Sequence, residues 1–290
     1  MKKLSMKKLF VMFLVVGIVG VCNATVAMHY NMDEATGTIA YDSAGVGSPA
    51  YDGTLTNMTG TPAFSFDGQS VAGKYGTALS FRGPFAAAPG GVGDDYILAN
   101  GTDASHLPGD YGIGNNFTVS MWAKTSNWGQ GGVMFAYGLN NMIFTIGLNV
   151  ASGSVVPEVE VYSKDMVDGL NPEIFKREQL PVGGINTSIW HHIAVSVAGA
   201  DPLIYVDGSS VGGTATIMAW VHTAGTMEFG RRNGSTKKYF TGAIDDFAII
   251  DATLTSQQIL DIYNSSNPIP EPATIALLGF AGLALIRRKK

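Results

Sequence analysis

Three sets of side chains in this 290-residue sequence have the types and spacing to do chemistry. Glu158 and Glu160 stand two apart in Glu158-Val159-Glu160-Val161-Tyr162. On a strand both project to one face, and paired carboxylates are what glycoside hydrolysis requires. Asp33, Glu34 and Asp245 offer hard oxygen ligands that suit Ca²⁺ if the first and last strands lie side by side and backbone carbonyls complete the cage. Trp128, in Ser126-Asn127-Trp128-Gly129-Gln130, is a large ring among glycines and amides, placed as a sugar-stacking platform; Trp220 and Tyr111 are further rings of that kind. Each set also has a structural reading. The two glutamates fit a solvated strand face, Asp245 fits an acceptor of backbone N–H groups at a strand end, and any aromatic fits a packed interior. His191 and His192 are adjacent, so a strand sends them to opposite faces and they cannot share a metal. No Ser-His-Asp order and no phosphate loop is present, and no catalytic residue is assigned.

Composition narrows the class. The chain is 46% hydrophobic and 14% charged, with 37 glycines and one cysteine, which excludes a disordered tail, a collagen and a disulfide-stapled mini-domain. Lys2, Lys3, Lys7 and Lys8 precede an apolar run over 9–21, and Ala24 and Ala27 follow as small cleavage residues. That order reads as a secretory signal peptide over 1–27. Val21 before Cys22 does not fit a lipoprotein site, so cleavage leaves a domain without thiols, disulfides or thiolate metal sites. The formal charge is −5; without the eight basic residues of the two ends, 10 basic residues face 23 acidic ones, a net of −13. Such an exported module repels nucleic acid and anionic lipid.

Short apolar runs separated by glycine-rich turns fill the middle: 78–81, 96–99, 117–123, 133–137, 143–148, 155–162, 190–197, 203–206, 226–229 and 243–250. Phe117, Val119 and Met121 alternate with polar residues, and Ile193, Val195 and Val197 share a face. Trp122 and Trp190, in these runs, are expected to pack the interior. Asp245 has the parity of Phe247 and Ile249 and so faces the core, whereas Asp246 points to solvent. Asp207-Gly208 predicts a tight hairpin turn. Thr255-Ser256-Gln257-Gln258 has capping-box form and opens a helix with Ile259, Ile262 and Tyr263 on one face. The expected fold is all-β, a two-sheet antiparallel jelly-roll sandwich over 28–266.

The C-terminal residues 267–290 form a separate segment. Asn267-Pro268-Ile269-Pro270-Glu271-Pro272 is stiff and extended. Residues 273–286 carry no charge and make a helix of about 21 Å, short against a hydrocarbon core of about 30 Å. Arg287, Arg288, Lys289 and Lys290 close it, and such a basic end stays cytoplasmic. This arrangement resembles the PEP-CTERM sorting tail of Gram-negative bacteria, with Pro270, Glu271 and Pro272 as the motif. The resemblance implies recognition by an exosortase, a temporary membrane anchor, and delivery to the cell surface or an extracellular matrix.

Four further segments resemble the laminin-G-like, concanavalin A-like jelly roll. They are Tyr30-Asn31-Met32-Asp33-Glu34-Ala35-Thr36-Gly37 with Tyr41-Asp42-Ser43 and Asp52-Gly53-Thr54-Leu55; Gly73-Lys74-Tyr75-Gly76-Thr77-Ala78-Leu79-Ser80-Phe81 with Asp94-Asp95-Tyr96-Ile97; 117–122 with Trp190-His191-His192 and Ile204-Tyr205-Val206-Asp207-Gly208; and Gly242-Ala243-Ile244-Asp245-Asp246-Phe247 with Leu254-Thr255. The resemblance implies paired first and last strands, calcium in some members, and binding of glycans or proteins. Glucanases of this group carry Glu-x-Asp-x-x-Glu, which the run at 158–162 lacks. The expectation is therefore a non-catalytic surface module contacting extracellular polysaccharide or a surface protein. A polysaccharide hydrolase or lyase using Glu158 and Glu160, or a purely structural matrix protein, are the alternatives.

Overall fold

The computed structural model of the chain describes residues 24–44, 51–57, 63–83, 94–99, 113–125, 132–139, 141–149, 158–163, 174–179, 188–199, 201–212, 225–231, 239–266 and 269. The chain divides into two units, Thr25–Ile269 and a second made of Met1–Ala24 with Pro270–Lys290. The first unit runs three residues past the expected span of 28–266 at either end.

In chain order its elements are β1 (Val26–Tyr30), β2 (Ile39–Ala40), β3 (Gly53–Asn57), the short helix α1 (Phe66–Gln69), β4 (Ser70–Ala72), β5 (Thr77–Phe81), β6 (Asp95–Ala99), β7 (Asn116–Lys124) and β8 (Gly132–Leu139). They continue as β9 (Asn141–Asn149), β10 (Glu158–Ser163), β11 (Ile174–Gln179), β12 (His191–Ala198), β13 (Asp201–Val206), β14 (Ser209–Gly212), β15 (Thr226–Phe229), β16 (Gly242–Ile250) and α2 (Ser256–Asn264). All ten strands expected from period-two patterning are present to within three residues at each end. The strands that patterning missed (β1, β2, β3, β4, β11 and β14) are mostly short or at sheet edges.

Among the described residues the strands form two antiparallel sheets. One runs β14-β13-β12-β7-β16-β5-β4, with β1 added on β16; the other runs β11-β10-β9-β8-β15-β6-β3-β2. The first strand therefore pairs with the last, Tyr30 opposite Phe247. Alternation puts Phe117, Val119, Met121, Ile193, Val195 and Val197 of one sheet against Phe135, Phe144, Ile146 and Phe229 of the other. The rings interlock across the gap: Phe229 meets Phe247 edge-to-face at 4.4 Å between centroids, and Phe117 meets Phe144 at 5.5 Å. Burial of apolar area of this kind, at about 25 cal/mol per Å², drives the face-to-face packing.

The β13–β14 turn takes positive φ at both Asp207 (49°) and Gly208 (76°), as a two-residue turn matched to strand twist requires. The Asp207 carboxylate ties this turn to β12 by accepting the His192 N–H at 2.9 Å and contacting His191 Nδ1 at 2.7 Å.

The outer face of the β7 sheet is a second buried layer. Thr118 and Ser196 are buried there because the chain after β16 crosses them. Thr118 Oγ donates to the Ala252 carbonyl at 2.8 Å and accepts the Leu254 N–H at 3.0 Å, and Ser196 Oγ donates to the Leu254 carbonyl at 2.9 Å. Helix α2 then covers the layer, with Ser256 Oγ 3.1 Å from the Tyr205 hydroxyl. Trp122 belongs to this layer, not to the inter-sheet core expected for it, because it shares the parity of Thr118 and Ser120. Trp190 precedes β12 and is half-buried, with the Lys124 ammonium 4.9 Å from its ring centroid.

The capping box of α2 forms as expected: Thr255 Oγ accepts the Gln258 N–H and the Gln258 side chain accepts the Thr255 N–H at 2.9 Å. Replacing Thr255 by alanine orphans a helix-end donor and should cost about 1 kcal/mol in urea unfolding. A serine there should recover most of the loss.

Candidate functional site

Asp245, Asp246 and their partners gather where β16 meets the first strand and the last residues of the unit Thr25–Ile269. The sequence Ile244-Asp245-Asp246-Phe247 cannot stay on regular pleats, because both Ile244 and Phe247 face the core. The strand resolves this with a register shift against β7 between Asp245 and Ala248, and Asp246 takes φ of 46°. Asp245 thereby stands on the outer face opposite Trp122, which in turn stands opposite His192. The parity argument that placed Asp245 toward the core is overturned by this bulge. So is the expectation that Asp246 is solvated, since it is buried at 1% exposure.

Asp245 Oδ2 accepts the N–H groups of Lys74 at 2.7 Å and Tyr75 at 3.0 Å, capping the turn between β4 and β5. Gly73 is needed there, because a Cβ would come within 2.7 Å of that oxygen and closer still to two backbone carbonyls. Oδ1 is buried without a hydrogen-bond partner among the described residues. Burial pushes the Asp245 carboxyl up to about 7, against the two amides that favour its charge. The Lys74 ammonium lies 4.0 Å from the centroid of Trp122, which stacks on Tyr263 of α2 at 5.7 Å. His192 Nε2 is 2.8 Å from Ser120 Oγ, and burial pulls its pKa down to about 4, so it is neutral near pH 7.

Asp246 turns the other way. Its Oδ1 lies 2.6 Å from His29 Nε2 on β1, and its two oxygens accept the Ile269 N–H at 3.3 and 3.1 Å. The other ring nitrogen of His29 is 2.7 Å from Ser43 Oγ. Just before Ile269, the Tyr75 hydroxyl donates to the Ser265 carbonyl at 3.0 Å.

The three residues expected to hold calcium are each committed to a different stretch of backbone. Asp33 Oδ1 accepts the Thr77 N–H at 2.7 Å, Glu34 Oε1 accepts the Tyr41 N–H at 2.7 Å, and Asp245 caps Lys74 and Tyr75. Among the described residues no three His, Cys, Asp or Glu side chains gather as a metal-ligating group. Asp245 thus accepts backbone N–H groups, as its structural reading expected. Glu158 and Glu160 lie on β10, an inner strand, opposite Gln179 and Arg177 of β11. Trp128, Trp220, Tyr111, the motif Pro270, Glu271 and Pro272, and the apolar stretch 273–286 lie outside the described residues. Among the described residues no helix is long and apolar enough to cross a membrane.

Sequence reasoning missed Asp95, His29 and the role of Asp246. Asp95 is wholly buried and accepts from Arg82 Nε and Nη2, at 2.7 and 2.8 Å. Its position in Asp94-Asp95-Tyr96 at a strand start was the available signal; for His29 and Asp246, 217 residues apart, the sequence holds none.

Residues 93–260 match the concanavalin A-like lectin/glucanases superfamily. The chain belongs to that superfamily. Residues 268–290 match the PEP-CTERM protein-sorting motif. The superfamily match begins after β5, yet β1 to β5 complete the same two sheets. The neuronal pentraxin receptor of Rattus norvegicus is 27% identical over 164 residues, which are 53% of this chain and 30% of that protein. The chain thus spans about a third of the curated relative's length. Among solved structures, domain 4 of the extracellular arabinanase AbnA of Geobacillus stearothermophilus, in complex with arabinotriose, superposes with a TM-score of 0.57. It is 21% identical, over 83% of this chain and 99% of that one. The binding domain of botulinum neurotoxin serotype D/C gives a TM-score of 0.56 at 13% identity, over 83% of this chain and 52% of that one. Likeness at these identities establishes that this concanavalin A-like chain shares their fold.

Proposed function

We propose that the chain is an exported, non-catalytic binding module that its C-terminal tail sorts to the cell surface or extracellular matrix. The observation that carries this reading is the sorting motif at 268–290, which follows the concanavalin A-like match at 93–260. An exosortase is the partner of the tail, and residues 273–286 hold the chain in the membrane before processing. The ligand is an extracellular polysaccharide or a surface protein, met through loops at a rim of the sandwich, with Trp128 as the stacking ring and Trp220 and Tyr111 as further candidate rings. The arabinanase domain solved with arabinotriose makes arabino-oligosaccharides the first probes. The acidic surface, at −13 for the exported part, disfavours nucleic acid and anionic lipid as ligands.

The test is retention of the full chain, in detergent, on immobilised arabinan and a panel of bacterial polysaccharides. Retention is expected, and Trp128→Ala should weaken it by about 2 kcal/mol, roughly thirtyfold in Kd. No retention on any glycan, with and without Ca²⁺, overturns the glycan reading in favour of a protein ligand. Repeating thermal unfolding with calcium and with chelator decides the cation, because a ligand that binds only the native state must raise the midpoint.

A further inference from the structure

We infer that Asp246 is a latch holding both ends of the exported domain, and that maturation leaves Thr25 through Ile269 intact. On this inference the leader is cut after Ala24 and not after Ala27, and the tail is cut C-terminal to Ile269. The inference rests on the reading of 268–290 as a processed sorting tail.

The N-terminal limit follows from β1. Its five residues, Val26–Tyr30, are all buried, and Val26 already pairs with Ile250. One residue earlier, the Thr25 carbonyl accepts the Asp251 N–H at 2.8 Å. A cut after Ala27 would remove the first two residues of that strand and its Ile250 pairing. A cut after Ala24 spares every one of these contacts and coincides with the start of the compact unit.

The C-terminal limit follows from the stem after α2. Ile269 is 5% exposed, and its N–H is held by the buried carboxylate of Asp246. The same carboxylate holds His29 of β1, so one side chain ties the first strand, the last strand and the stem. The left-handed backbone at Asp246 aims it there, a conformation that costs a non-glycine residue energy and persists only where the surroundings repay it. Removing Ile269 would leave an acceptor buried beside an apolar void, which is costly. Each cut breaks one peptide bond: the carbonyl carbon joins the incoming nucleophile, water or an acceptor amine, and the freed nitrogen takes that nucleophile's proton.

The chain is expressed with its leader in a Gram-negative host carrying an exosortase, and the product is read by N-terminal sequencing and intact mass. The expected product begins at Thr25 and retains Ile269. A product beginning at Met28, or ending before Ile269, overturns the inference. A chain whose tail is never cut overturns the sorting reading instead, and the latch is then decided by proteinase K on the full chain in detergent. A protected core that reaches Ile269 supports the latch, and a core trimmed back into 265–268 overturns it. Asp246→Ala should lower the melting midpoint by about 5 °C and speed trimming of the stem roughly tenfold. Asp246→Asn, which keeps an acceptor for the Ile269 N–H, should slow trimming again; equal trimming in both variants and the parent overturns the latch.

Discussion

Replacing Asp95 with alanine should destabilise the domain by about 3–5 kcal/mol, the range for breaking a buried ion pair from one side. Asp95 is fully buried on β6, and its carboxylate accepts four hydrogen bonds. Arg82 donates from Nε at 2.7 Å, from a terminal nitrogen at 2.8 Å and from its backbone N–H at 2.8 Å, and Asn57 donates from Nδ2 at 2.9 Å. Asp95 thereby couples the end of β5 in one sheet to β6 and β3 in the other. Alanine takes the Asp95 charge from a guanidinium that is only 21% exposed, together with the acceptor of the Arg82 backbone N–H. Urea unfolding should show a lower midpoint with an unchanged slope. The Asp95→Asn protein should lie between, because an amide oxygen still accepts but the charge is gone. A loss under about 1 kcal/mol in the alanine variant would show that the pair contributes no more than an exposed one.

Stability should fall between about pH 4 and pH 7 because of Asp245. Burial raises its pKa in the fold from 3.8 to about 7, so the native state binds a proton that the unfolded chain has already released. Where the native state holds more protons, stability declines with pH. The contribution is whole below the unfolded value, is lost as pH rises through the folded value, and totals roughly 4 kcal/mol at 1.36 kcal/mol per unit. Other carboxylates titrate in the same range, so the difference between parent and Asp245→Asn is the measurement. The amide keeps an oxygen for the Lys74 and Tyr75 N–H groups and remains neutral at every pH. The two proteins should be nearly equal in stability near pH 3, below the unfolded value, and the D245N protein should be the more stable at pH 8.5. Curves that run parallel across that range would place the Asp245 pKa near its ordinary value.

The sandwich itself was legible because an apolar inner face alternates with a smaller, more polar outer one, which writes a period of two into Phe117-Thr118-Val119-Ser120-Met121 and Ile193-Ala194-Val195-Ser196-Val197. The hairpin at Asp207-Gly208 and the capping box at Thr255 were legible for a related reason: each depends on residues within four positions of one another. Strand β11, Ile174-Phe175-Lys176-Arg177-Glu178-Gln179, was not, since three charges in six residues mask any apolar rhythm. Thr118 of β7 and Ser196 of β12 are nevertheless buried, because the 252–254 backbone supplies their hydrogen bonds.

The sequence by itself determined the all-β class, the pairing of first and last strands expected from family likeness, and the sorting motif at its end. The class and the sorting motif rest on local periodicity or on contiguous motifs, and the pairing on what the resemblance implies. Only the tertiary structure decided what Asp245 and Asp246 do. A one-residue bulge reverses the parity of every residue on one side of it, and a run of two aspartates carries no signal of where that bulge falls. Whether a buried carboxylate meets two backbone amides, a histidine 217 positions away or the stem of the tail is settled by which strands become neighbours, and adjacency between distant segments is a property of the packed chain alone.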